Sequence, residues 1–278
     1  MKKIEMEGCE ICPTCRNKTF VVEAEGISSE NGEHYPIGEC RVCDRSKRFI
    51  LGDCVEKLTG IWNADLIITD PPYNIGWKYS EKVNDNKKEY HKWCLEWAEL
   101  CFKSLNKNGI LCIINYPINN NILFTNLIGK GYHFVQQLVW NYPTNIGHSK
   151  KKYTKSYRTI LIFSKSENYT FNPEIQPYKN PTDKRIKERI KAGHKGTNHY
   201  DVFTFNLCKN VSKSKKNNGI NQLPNELVDA LIKTYSNEFD LVLDPFVGNG
   251  TVMDRAYDLN RSSIGVDIND YNGNRQNE

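Results

Sequence analysis

The sequence predicts an α/β protein built on a mostly parallel sheet, and three observations carry that reading. Apolar runs of strand length alternate with stretches of helical spacing from about residue 48 to 272. Two of those runs end in an acid followed by proline, and a glycine turn joins one of them to a helix and a further acid-ended strand. In chain order, Asp65-Leu66-Ile67-Ile68-Thr69 is a short buried strand of the parallel kind. Tyr90, Trp93, Trp97, Leu100, Cys101 and Leu105 recur at helical spacing and predict an amphipathic helix ending near Asn108-Gly109, its aromatic stripe turned to the core. Strands follow at Ile110 to Ile114, Phe134 to Trp140 and Ser156 to Phe163, then a helix from Asn225 to Tyr235. The last unit is a strand from Leu241, a helix over Val252 to Leu259, and a strand from Ser263 to Asp267.

The first acid-ended run continues as Asp70-Pro71-Pro72-Tyr73, placed where open α/β sheets bind ligands, at a strand's carboxyl end. A carboxylate, two prolines and an aromatic suit an exocyclic amino group as substrate. Such a group is a poor nucleophile while its lone pair is delocalised into a ring, and acceptors aimed at its N–H bonds favour the pyramidal form. Asp70 supplies one acceptor. Pro72 lacks an N–H and restricts the residue before it to extended geometry, which can point the Pro71 carbonyl outward as a second. Tyr73 can stack on a base, a contact worth ~1–3 kcal/mol. Trp77 in Asn74-Ile75-Gly76-Trp77 can assist or simply pack its loop. Alone, the tetrapeptide is equally a strand-terminating turn.

The second run, Leu241-Val242-Leu243-Asp244-Pro245-Phe246-Val247-Gly248-Asn249-Gly250-Thr251, enters a turn whose glycines let the backbone approach a ligand facing helix N–H groups. Asp267, ending the next strand, is an acid of the kind that grips ribose hydroxyls in doubly wound sheets.

These residues resemble the amino-group DNA methyltransferases that use S-adenosylmethionine to modify adenine N6 or cytosine N4. Asp70-Pro71-Pro72-Tyr73 looks like the family's catalytic motif, and Asp244 to Thr251, with Pro245, Phe246, Gly248 and Gly250, looks like its cofactor loop. The catalytic motif precedes the cofactor loop by 174 positions, similar to the permuted β-class order. The resemblance implies a Rossmann-like sheet of seven strands with circularly permuted motifs, and S-adenosylmethionine as cofactor. Gly52-Asp53-Cys54 matches a further cofactor motif, with Asp53 and Cys54 near the cofactor and Asp70 facing both ligands. Gln222-Leu223-Pro224 and the helix after it resemble the segment that closes over the cofactor's methionine part, with Leu223 in place of the usual lysine. In-line transfer needs no covalent intermediate. Methylation of cytosine C5 would need a thiolate in a Pro-Cys dipeptide, which this chain lacks. The family's N4-cytosine members more often carry Ser where Asp70 stands, so the resemblance favours adenine N6, with N4-cytosine as the alternative. RNA as substrate, or a zinc-ribbon nucleic-acid-binding protein with an inactive methyltransferase fold, are further alternatives.

A chain of 278 residues with 38% hydrophobic content can build one full α/β domain with insertions. No run approaches the ~18 apolar residues of a membrane helix, and the amino terminus lacks an apolar signal core, so a cytoplasmic protein is expected. Net charge is +5, unevenly distributed: residues 147–222 hold 17 Lys and Arg against five Asp and Glu, leaving the rest net negative. Three runs concentrate the charge: Lys150-Lys151-Lys152, the stretch with Lys184, Arg185 and Lys187, and Lys213-Ser214-Lys215-Lys216. They are the expected contacts for double-stranded DNA, phosphates giving affinity and bases specificity. Residues 165–222 would be the target-recognition insert, its shortness suiting a short site or help from a second subunit in a homodimer. His148, His194 and His199 in the same stretch are read as surface or core residues.

Residues 1–47 are expected to form a separate zinc-ribbon-like module ahead of a methyltransferase domain at 48–278. Cys12-Pro13-Thr14-Cys15 and Cys40-Arg41-Val42-Cys43 are two CxxC pairs separated by 24 residues, the pattern of a tetrahedral structural zinc site. Cys9 makes a competing CxxC with Cys12. The other cysteines, 54, 94, 101, 112 and 208, are scattered and mostly apolar in setting.

Overall fold

The computed structural model describes residues 35–40, 45–60, 63–76, 86–144, 150–208 and 222–269. In chain order the elements are β1 (Tyr35–Cys40), β2 (Arg45–Leu51), α1 (Cys54–Lys57), β3 (Ala64–Thr69), α2 (Tyr90–Ser104), β4 (Leu105–Asn115), α3 (Pro117–Gly129) and β5 (His133–Asn141). There follow β6 (Tyr157–Ser164), β7 (Ile175–Gln176), α4 (Lys184–Lys191), β8 (Thr197–Asn198), β9 (Val202–Thr204), α5 (Asn225–Tyr235), β10 (Leu241–Asp244), α6 (Thr251–Asp258) and β11 (Ser262–Asp267).

One sheet of nine strands runs β1-β2-β11-β10-β3-β4-β6-β5-β9, and β7 and β8 form a separate ribbon. Its seven inner strands match the expected count, and within them β6 alone is antiparallel to its neighbours. The sheet is wider than expected because β1 folds back on β2 at one edge and β9 adds to β5 at the other. The edge therefore reaches into the segment assigned to the amino-terminal module, and β2 spans the 47/48 boundary. Likewise the insert's far end returns to the sheet as β9.

Apolar side chains go to both faces, as strands buried on both sides require. Ile67, Leu111, Ile113 and Leu243 pack with α1, α2 and α3 through Cys54, Leu58, Trp97 and Leu123. Leu66, Ile68, Ile110, Cys112 and Val242 pack on the opposite side with Leu227, Leu231, Val252 and Ala256 of α5 and α6. The helix expected to reach Asn108-Gly109 stops at Ser104. Leu105 turns extended and starts β4, whose register against β3 shifts between Ala64 and Leu66. A Cβ on Gly109 would come within 2.8 Å of the Ala64 carbonyl, so this close approach requires glycine.

Two details fix the crevice. Asp65 accepts from the Leu241 amide at 2.8 Å and from the Asn106 side chain, tying together the starts of β3, β10 and β4. From β10 the chain winds outward through α6 to β11, and from β3 it winds the other way through α2 to β4. The switch point thus falls between β3 and β10, where Val242 pairs with Leu66, and open sheets bind ligands at such a point.

Candidate active site

At the carboxyl ends of β2, β3, β10 and β11 a cleft opens, holding about 1330 Å³ of empty space with its open mouth included. The structure gathers both sequence segments into it. Asp70, Pro71, Pro72 and Tyr73 line one side; Asp244, Pro245, Phe246, Gly248 and Thr251 line the other; Asp53, Cys54 and Asp267 close the base. Gly250 sits just behind the wall as the cap of α6, with φ +80°. Gln222 and Leu223 also line the cleft, as the resemblance implies.

The loop after β3 is held from behind. The Tyr90 hydroxyl donates to the Pro72 carbonyl at 2.7 Å and is itself approached by the Asn115 amide nitrogen at 3.0 Å. Asn119 donates to the Tyr73 carbonyl at 3.2 Å. Those two bonds engage the carbonyls of Pro72 and Tyr73 and fix the path of the loop. The Tyr73 hydroxyl donates to one oxygen of Asp70. Tyr73 is more enclosed than a free stacking platform: it is 6% exposed, its edge meets Tyr116 at 5.1 Å, and the Arg158 guanidinium covers its ring at 4.4 Å. At most one face remains for a base.

The loop after β10 needs its glycines. Gly248 takes φ +53° and Gly250 φ +80°, left-handed values that cost other residues. The Gly248 amide donates to Asp267 at 2.9 Å and the Phe246 amide to Asp244 at 3.0 Å, so the two acids brace the loop. Asp53 caps α1 by accepting from the Val55 amide at 2.8 Å. Cys54 is buried beneath it, and burial pushes its thiol far up, which makes it packing rather than a nucleophile.

Electrostatically the cleft is set for a cation. Burial pushes Asp244 up to about 8, against the hydrogen bond from Phe246, with Asp267 and Asp70 adding repulsion. Burial likewise raises Asp70 and Asp267. Three crowded carboxyls gain most from a positively charged ligand.

Sequence reasoning missed several contributors. Trp93, assigned to the core stripe, lines the cleft and packs against Phe246 with ring centres 5.6 Å apart, and the Lys87 ammonium lies over the Trp93 ring, 4.7 Å from its centre. The Asn249 side-chain amide nitrogen is buried at the cleft without a partner among the described residues. Arg158 lay inside a run read as a plain strand. Trp77 and His148 lie outside the described residues. His194 is exposed, and His199 stacks on Phe203 at 4.4 Å, away from the cleft.

Of the expected DNA contacts, Lys150, Lys151, Lys152, Lys184, Arg185 and Lys187 are all exposed. The last three belong to α4, which buries no residue. Lys213, Lys215 and Lys216 lie outside the described residues. So do Cys12, Cys15 and Cys43, while Cys40 is described only as the backbone end of β1. Among the described residues no group of three or more His, Cys, Asp or Glu is placed to hold a metal ion, and no helix is long and apolar enough to cross a membrane.

A family model described as DNA methylase, covering N6 and N4 methyltransferases, matches residues 64–273. The chain belongs to that family, the amino-group methyltransferases that use S-adenosylmethionine. Among curated relatives, the type II methyltransferase M1.MboII of Moraxella bovis is 32% identical over 236 residues, spanning 78% of this chain and 90% of that protein. The DNA adenine methyltransferase YhdJ of Escherichia coli (strain K12) is 30% identical over 240 residues, 82% of this chain and 81% of the relative. The solved PvuII DNA methyltransferase, titled cytosine-N4-specific, shares the fold with a TM-score of 0.62 at 18% identity, covering 82% of this chain and 84% of that one. The chain is accordingly a DNA methyltransferase acting on an exocyclic amino group.

The raised Asp244 has a measurable consequence. Below about pH 8 the empty cleft holds it protonated, and a cationic cofactor favours the carboxylate, so binding expels a proton. Calorimetry of S-adenosylmethionine binding in buffers of different ionisation enthalpy should show release of close to one proton at pH 7, with affinity rising from pH 6.5 to 8.5. Asp244→Asn should abolish the proton release.

Proposed function

We propose that this DNA methyltransferase is site-specific and methylates adenine at N6, within a restriction-modification system. The observation that carries the reading is the juxtaposition of Asp70 and Pro71 with the loop that follows Asp244 across one cleft. The relative named a DNA adenine methyltransferase and the relatives named type II methyltransferases support the adenine target and the setting. Cytosine N4 is the second reading, kept by the neighbour titled cytosine-N4-specific.

In this reading the target base leaves the duplex, at a cost of about a few kcal/mol, and its amino group enters beside Asp70. The oxygen of Asp70 not held by Tyr73 accepts one N–H and the Pro71 carbonyl the other, so the nitrogen lone pair turns outward from the ring. Bound S-adenosylmethionine supplies a methyl group already activated by its sulfonium. Positioning and charge stabilisation are then the protein's work. Asp70 also stabilises the positive charge that develops on the nitrogen before its proton is lost. The loop from Asp244 to Thr251, with Asp53, Cys54 and Asp267, holds the cofactor. Tyr73 retains the base by the face that Arg158 leaves uncovered.

The exposed α4 and the lysines of residues 150–152 and 213–216 are the phosphate contacts in this reading, with residues 165–222 as the target-recognition insert. The DNA substrate places the enzyme in the cytoplasm, and a homodimer would extend its short insert. Incubation with labelled S-adenosylmethionine and unmodified genomic DNA, followed by nucleoside mass spectrometry and sequencing, should yield N6-methyladenine in a single short context. N4-methylcytosine instead would replace the adenine reading by its alternative.

Residues 1–47 carry, in the same proposal, structural zinc on Cys12, Cys15, Cys40 and Cys43. The support is the chemistry of four thiols in two CxxC pairs. Elemental analysis should find one zinc per chain and lose it in Cys40→Ser together with thermal stability; unchanged metal content in that variant would refute the assignment.

A further inference from the structure

β6 opens with a charge that a strand between two buried neighbours does not ordinarily carry. Arg158 is 3% exposed and stands in register opposite Trp140 of β5. Its guanidinium carbon lies 4.4 Å from the ring centre of Tyr73, 5.0 Å from that of Trp140, and 5.6 Å from those of both Tyr116 and Tyr142. These rings come from three separate stretches: the loop after β3, the junction of β4 with α3, and the end of β5. The Tyr142 hydroxyl hydrogen-bonds the guanidinium, but aromatic faces accept no conventional hydrogen bond, and Nε and Nη1 of Arg158 are buried without a partner among the described residues. A buried cation of this kind needs a compensating charge. The carboxylate that acts on Arg158 is that of Asp70, reached through Tyr73.

We propose that Arg158 is a positioning residue for methyl transfer, acting through Tyr73 on Asp70; this rests on the reading of Asp70 as the acceptor of the target amino group. Its guanidinium backs the Tyr73 ring and fixes the direction of the hydroxyl. That hydroxyl occupies one oxygen of Asp70 and leaves the other directed to the substrate. Its charge also complements a carboxylate that the site must keep ionised while half-buried. Burial pushes Asp70 up, and Arg158 and the Tyr73 hydrogen bond pull it back. The other charged groups at this end are Asp244 from β10, Asp53 and Asp267 at the base of the cleft, Lys87 ahead of α2, and the exposed Lys155 ahead of β6, 4.6 Å from the ring centre of Tyr116. Arg158 is thus the buried cation contributed from the sheet side, and its removal takes away the charge that opposes the burial of Asp70.

The sign of the effect is fixed. Without Arg158 the Asp70 carboxyl holds its proton to higher pH, so the acid limb of the kcat profile moves up. In Arg158→Gln, kcat at pH 7 should fall about tenfold or more, and the acid limb should rise by about half a pH unit or more. The calorimetric Kd for S-adenosylmethionine should stay within about twofold, because Arg158 lies off the cofactor side. Arg158→Lys, which keeps the charge without the flat fork, should return the acid limb towards wild type with only part of the rate. Tyr73→Phe combined with Arg158→Gln should cost less than the product of the single losses, since both act along one chain of contacts. An unmoved acid limb in Arg158→Gln, independent effects in the double variant, or loss of cofactor binding in both Arg158 variants would each overturn the proposal. Asp70→Asn separates the two readings: activity retained there refutes the role of Asp70 itself, whereas inactivity beside an unmoved Arg158→Gln profile refutes only the role of Arg158.

Discussion

The site depends on the lateral pairing of β3 with β10. These strands are 174 positions apart at their terminal acids, yet Val242 and Leu243 pair with Leu66 and Ile67 in one parallel ladder. That pairing sets the loop bearing Asp70 beside the loop bearing Gly248, and nothing local in either segment could do so. Asp65 reinforces it from the opposite end of the strands, bonding the first amide of β10 and the side chain of Asn106 near the start of β4. The apolar layers on both faces, α1 to α3 on one side and α5 and α6 on the other, keep the ladder dry and its register fixed.

Crowding of carboxyls at the strand ends follows from that geometry. Asp70, Asp244 and Asp267 each sit where burial raises them, and Asp244 also feels the other two. Such an arrangement is poor for stability and good for receiving positive charge, whether carried by a ligand or developed on a reacting nitrogen. The hydrogen bonds the acids accept from Gly248, Phe246 and Tyr73 orient them without neutralising them. On the sheet side, Arg158 supplies opposite charge from inside an aromatic enclosure, so the field across Asp70 is asymmetric.

Much of this was legible in the sequence, and the parts that were not share a physical reason. Buried strands and packed helices announce themselves through runs such as Leu66-Ile67-Ile68 and the spacing of Leu227, Val228, Leu231 and Ile232, and α5 spans the predicted Asn225 to Tyr235. Cleft residues were legible because proline, glycine and acid at strand ends constrain the backbone in recognisable ways. Strand direction was not: nothing in Tyr157 to Ser164 distinguishes an antiparallel strand from a parallel one. The end of α2 was misplaced because Asn108-Gly109 carries a turn signal, whereas the glycine there serves a close backbone approach inside β4. Arg158 and Trp93 were missed for a related reason, since their partners come from distant segments and only the assembled sheet brings them together. A lone arginine at the head of an apolar strand was the one available signal.

In the function proposed above, the two sides of the cleft do separable work, one gripping the cofactor and the other receiving the amino group. It is tested most directly by single-turnover methyl transfer in Asp70→Ala, measured alongside calorimetric binding of S-adenosylmethionine. The transfer rate should be lower by about 10³-fold or more, with cofactor affinity within about threefold of wild type. Substantial transfer by Asp70→Ala, or a collapse of cofactor affinity that accounts for the whole loss of rate, would contradict it.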